Sequence, residues 1–144
     1  MDWWRCAMPE RRAVFAASML LPLAGLSLHA LGLRRTLRLF AGGANPPAAP
    51  APEAAERLAR AVEHAGRKYS IYPADCLVRA LVLVWLLRRR GIAAELRLGA
   101  RTLTGRFEAH AWVEHCGTPL GDDADVARIF HAFDLRQAEA LRFR

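Results

Sequence analysis

Cysteine is scarce in this chain. Cys6, Cys76 and Cys116 are the whole set, an odd number that argues against a disulfide framework and fits a reducing compartment, by default the cytoplasm. Paired ligand spacings are missing as well. There is no Cys-x-x-Cys or His-x-x-x-His, and His115 and Cys116 as strand neighbours would point to opposite faces, so neither a metal nor any other cofactor is expected. The 144 residues leave no room for a second catalytic domain. Nucleic-acid signatures are also absent. The net charge of +7 and pI near 10.6 come mainly from Arg scattered at helix ends and on polar faces, without an RNA-binding or helix-turn-helix pattern, so no nucleic-acid partner is expected.

Charge is missing altogether from Ala13 to Leu33, a run long enough to cross a bilayer and flanked by Arg11-Arg12 and Arg34-Arg35. Against a membrane span stand the diluting Ala, Gly and Ser, the interruption at Pro22, and His29 within the run. Three readings are open: two helices meeting near Pro22 and Gly25 and packed on the rest of the protein, membrane association, or a cleaved signal with a poor cleavage region at Ser27-Leu28-His29-Ala30. The first is preferred. Residues 41–52, rich in Ala, Pro and Gly, read as a linker. The expected organisation is thus an apolar helical segment over 1–40, the linker over 41–52, and one domain over 53–144. That domain starts with an amphipathic helix over 53–67, whose inner face carries Leu58, Ala61, Val62 and Ala65.

What remains is organised around the stretch from Asp75 to Asp122. Asp75 to Gly91 predicts a helix with Asp75 as N-cap, Arg88, Arg89 and Arg90 near its end, and Gly91 as the stop. Cys76 then lies in the first turn, where free backbone N–H groups and the positive end of the helix dipole favour thiolate over thiol. Pro73 separates this helix from the preceding one, and Tyr69 and Tyr72 in the intervening loop, candidates for an oxyanion donor, read by preference as packing residues. After Gly91, residues 93–99 alternate as a strand, 101–106 form a loop, and 107–114 alternate again, with His110 and Trp112 on one face. Trp112 reads as a shield that keeps water from a Cys–His pair, and Glu114 as a strand-pair residue. A turn through His115-Cys116-Gly117 leads into a short return strand and the pair Asp122-Asp123. A plain two-residue turn would put Asp123 opposite His110, whereas an extra residue bulged at Gly117 would put Asp122 there. Spacing leaves both open. A short helix over 125–130 with Val126, Ile129 and Phe130 inward completes the reading.

The order of helix-borne Cys76, strand-borne His110 within His-Ala-Trp-Val-Glu, and an Asp on the next strand resembles the transglutaminase-like branch of papain-type thiol enzymes. More closely, it is similar to the leader peptidases of lasso-peptide biosynthesis. The resemblance rests on Cys76-Leu77-Val78-Arg79-Ala80-Leu81, on Leu86-Leu87-Arg88-Arg89-Arg90-Gly91, on Leu96-Arg97-Leu98-Gly99, and on Phe107 through Glu114 with the spacing from His110 to Asp122. It covers roughly residues 57 to 125. It implies an α+β, papain-like fold in which the catalytic helix packs on a small antiparallel sheet, with an added N-terminal helical segment. It also implies a cysteine protease with Cys76 as nucleophile, His110 as base and Asp122 as orienting acid, so the acid left open by spacing is Asp122. The implied substrate is a lasso-peptide precursor, cut between leader and core. The implied partners are a separate small leader-recognition protein and an ATP-dependent lasso cyclase. The alternative from another class is a membrane-associated transglutaminase-like module, non-catalytic or acyl-transferring.

Overall fold

The computed structural model describes residues 8–68 and 76–133. The sequence expectations for Cys6, for the 69–75 loop with Asp75 as N-cap, and for residues 134–144 lie outside the described residues.

Three helices come first. The apolar run forms α1, Met8–Ala41, the helix over the expected amphipathic stretch forms α2, Pro52–Lys68, and the cysteine helix is α3, Cys76–Arg89. Pro22 is accommodated inside α1, and the break falls instead at Gly32, whose φ of 78° and ψ of 170° belong to a region only glycine enters easily. On a straight helix, residues nine apart would be separated by about 13.5 Å. The Thr36 hydroxyl nevertheless lies 3.3 Å from that of Ser27, so the two parts of α1 fold back on one another. The expected helical hairpin therefore turns at Gly32, not near Pro22 and Gly25.

Helix α1 buries Ala13, Val14, Ala17, Leu21 and Ala24, which join one core with Leu58, Val62 and Ala65 of α2 and with Leu81, Val84 and Leu87 of α3. The opposite face of α1 is also apolar. Phe15, Met19, Leu23 and Leu26 recur there at helical spacing and are exposed. Residues 11–41 are by length and composition apolar enough to span a membrane, a test that a signal sequence or the core helix of a soluble protein also passes.

Helix α3 is apolar on nearly every side and is correspondingly enclosed, by α1, α2 and the sheet. It ends as a Schellman motif: Gly91 has φ +73°, its N–H reaches Arg88 O at 3.0 Å, and the N–H of Ile92 reaches Leu87 O at 3.0 Å. The residues from 42 to 51 form no regular element, as their prolines dictate, yet they are pinned. Asn45 Oδ1 accepts the N–H of Ala94 at 2.9 Å, and the N–H of Ala51 donates to His115 Nε2 at 3.0 Å. Arg88 completes the strap. It donates twice to Ala94 O, at 3.1 and 2.9 Å, and once to Ala41 O at 2.5 Å, joining the end of α1 to the start of the sheet. Burial lowers the pKa of this guanidinium, an effect opposed by the nearby Glu95 carboxylate.

The sheet is antiparallel, with its strands in the order 118–120, 106–115, 95–103 and 131–133. Strands β1, Glu95–Leu103, and β2, Arg106–His115, pair along their length through a turn at Thr104-Gly105, both at positive φ. The loop expected over 101–106 is therefore mostly strand. Strand β3, Thr118–Leu120, follows β2, and a short helix α4, Val126–Ile129, leads to β4, His131–Phe133, which pairs with β1. The three-stranded meander expected from sequence thus gains a fourth strand. Phe107, near the turn end of the β1–β2 hairpin, is 75% exposed. Helices packed on a small antiparallel sheet make this an α+β fold.

Candidate active site

Helix α3 and strand β2 bring the sequence-predicted residues to one place. Cys76 begins α3, whose first backbone N–H groups have no partner within the helix. His110 lies in β2 directly across from Gly99 of β1, and Asp122 lies two residues beyond the end of β3. All three line an open cavity of about 260 Å³. Its apolar wall comes from Ala59 and Val62 of α2, Ala80 and Leu83 of α3, and Ala111 and Val113 of β2. Cys76 carries a free, half-buried thiol and has no hydrogen bond to His110 among the described residues.

The imidazole is held by a carboxylate. His110 Nε2 donates to Asp122 Oδ2 at 2.5 Å, both side chains being about one quarter exposed. The other oxygen, Asp122 Oδ1, accepts the N–H of Asp123 at 2.9 Å, which fixes the carboxylate plane. Because a carboxylate only accepts, this bond puts the ring proton on Nε2 and leaves the Nδ1 lone pair as the basic position.

The way Asp122 reaches the histidine differs from both turn geometries considered from sequence. Cys116 and Gly117 both have positive φ, 49° and 78°, and β2 pairs with β3 as His115 with Thr118, so the connection is a plain two-residue turn with no bulge at Gly117. Continued regularly, that register would bring Asp123 opposite His110. It is not continued. Strand β3 stops at Leu120, Gly121 adopts φ +63°, and the chain leaves the strand so that the carboxylate of Asp122 meets the ring.

Flat side chains flank the imidazole. The ring of Trp112 stacks on it at 6.1 Å between centroids and an interplanar angle of 19°, and that of Phe130 lies 5.0 Å away. Trp112 is 2% exposed and donates from Nε1 to Glu114 Oε1 at 3.0 Å, so Glu114 orients the tryptophan. A side chain at Gly99 would meet both Trp112 and Phe130 at 2.9 Å, so the absence of a Cβ there lets the two rings close over the sheet. Phe130, expected only as an inward apolar residue of a short helix, is the contributor that sequence reasoning missed. The pairing of β4 with β1 carries it there, and three residues of strand leave almost no periodic signal.

His115 takes a different part. It is 3% exposed, donates from Nδ1 to Ala93 O at 2.6 Å and accepts at Nε2 from Ala51, so both ring nitrogens are used in holding the strap. Among the described residues no three His, Cys, Asp or Glu side chains form a group able to hold a metal ion.

A family model described as the transglutaminase-like superfamily matches residues 12–133, a span that includes most of α1 and the strap as well as the cavity. No curated protein and no solved structure matches the chain.

Proposed function

The chain belongs to the transglutaminase-like superfamily, and from that premise we propose that it is a cysteine peptidase acting through Cys76, His110 and Asp122. The observation that carries this reading is the Nε2–Asp122 hydrogen bond inside a cavity that Cys76 also lines. With Nε2 committed, Nδ1 of His110 takes the thiol proton as the sulfur attacks the scissile carbonyl. The tetrahedral oxyanion is received by the backbone N–H of Cys76 at the positive end of α3. As the intermediate collapses, the C–N bond breaks, the proton on Nδ1 passes to the leaving amine, and a thioester remains. Water, activated by the same nitrogen, then releases the acid and restores the thiol. Asp122 holds the ring orientation throughout. Trp112 and Phe130 exclude water from one side of the imidazole.

The substrate we assign is the leader–core junction of a lasso-peptide precursor, an assignment supported by the motif resemblance described above. In this reading the protein works in the cytoplasm with a separate leader-recognition protein and an ATP-dependent cyclase. The exposed apolar face of α1, Phe15, Met19, Leu23 and Leu26, is the surface on which we place one of these protein partners. The test is cleavage of a co-expressed precursor followed by mass spectrometry. The wild type should release the leader and Cys76→Ala should leave the precursor intact while keeping its circular-dichroism spectrum. An amine joined to a glutamine side chain, with no peptide bond cut, would assign the chain to acyl transfer.

A further inference from the structure

Besides the imidazole and the thiol, the cavity is lined by two acidic side chains and one guanidinium: Glu63, Asp122 and Arg79. Two of these are matched. Asp122 is engaged by His110 and by the N–H of Asp123, and Glu63 by Arg67 at 2.6 Å, one helical turn along α2. Arg79 has no hydrogen-bond or ion-pair partner among the described residues, although it is half-buried and sits between apolar walls. A guanidinium carries five N–H donors in a fixed planar fork, and a wall of low polarity strengthens its attraction for an anion. Arg79 also follows Cys76 by three residues in α3, which places the two on one face with Cβ atoms about 5–6 Å apart.

We propose that Arg79 is the anion-recognising wall of this cavity: it takes a carboxylate of the substrate, an Asp or Glu side chain beside the bond that Cys76 attacks. The proposal deepens the peptidase reading and rests on Cys76 being the attacking thiol. It assigns to Arg79 a role in specificity and none in the chemical step.

Two small alkylating reagents test it on the intact chain without any peptide substrate. Iodoacetate and iodoacetamide form the same C–S bond and expel the same iodide, but only iodoacetate brings a carboxylate within reach of Arg79. The rate constants for modification of Cys76 by each are measured by peptide mass spectrometry in the wild type, Arg79→Gln and Arg79→Lys. The iodoacetate-to-iodoacetamide ratio should fall roughly threefold or more in Arg79→Gln and largely persist in Arg79→Lys. An unchanged ratio in Arg79→Gln overturns the proposal. So does a parallel fall of both rates, which would make Arg79 an activator of the thiolate. Slow modification of wild-type Cys76 by both reagents, relative to Cys116, would instead count against Cys76 as nucleophile, and the ratio would still report on Arg79.

Discussion

Asp122 acts on His110 through a single proton, the one on Nε2. An amide at position 122 keeps the size of the side chain but is able to donate, and a donor facing Nε2 favours the tautomer whose proton sits on Nδ1, the position that the proposed mechanism needs free for the thiol proton. Asp122→Asn should therefore fold normally and lose about 10²-fold or more in single-turnover cleavage. Asp123 supplies only its backbone N–H to this arrangement, so Asp123→Asn should stay within a fewfold of wild type. The reverse ranking would show that the acid is chosen by strand register and not by the exit at Gly121. Sequence reasoning reached Cys76 and His110 through a helix start and a two-residue alternation, both local patterns. Choosing between the two aspartates depended on one backbone dihedral after a three-residue strand. Gly121 was visible as a glycine, but nothing in the spacing said that its φ would be positive.

At the scale of elements, the least expected feature is how firmly the proline-rich connection is held. Its composition indicates a loose linker, and it indeed lacks regular structure. What composition does not reveal is that Asn45, Ala51, Arg88 and His115, drawn from three separate parts of the sequence, meet around Ala93 and Ala94. These contacts join residues 22 to 64 positions apart, or 6 apart for Arg88 with Ala94, and long-range pairing of single polar groups carries no periodicity. Arg88 reads in the sequence as an ordinary basic residue ending a helix, whereas its fork bridges α1 to the sheet. Arg88→Ala would strand the carbonyls of Ala41 and Ala94, and we expect a loss of about 2 kcal/mol in chemical denaturation. Arg88→Lys should recover only part, since an ammonium cannot donate in the same fixed fork. A loss indistinguishable from zero for the alanine variant would mean that the strap is held by Asn45 and His115 alone. The helix α2 and the periodic stretches 95–99 and 107–114 of the hairpin were legible, while the turn end of that hairpin, β4 and the Gly32 corner were not, since a few residues of strand and one dihedral have no period.

At the scale of the whole molecule, helix α1 has two apolar sides. One is covered by α2 and α3, and the other is left open along Phe15, 68% exposed, and Leu26, 65% exposed. If that face seats the protein that brings the leader, the unaided chain should cleave its precursor slowly, and adding the recognition protein at sub-saturating precursor should raise the rate by concentrating the leader at the cleft. The double change Phe15→Ser with Leu26→Ser should remove the stimulation while leaving the unaided rate as it was. Equal wild-type rates with and without the recognition protein would refute the division of labour.

The central claim, that Cys76 is the nucleophile of a peptidase, predicts a covalent intermediate with a defined address. In an acid-quenched single turnover with precursor and recognition protein, intact-mass and peptide mapping should find the leader joined as a thioester to the peptide that begins α3. That adduct should be sensitive to hydroxylamine and missing from Cys76→Ala. Cleavage of the precursor by Cys76→Ala, or a leader thioester mapped to Cys6 or Cys116, would contradict the account.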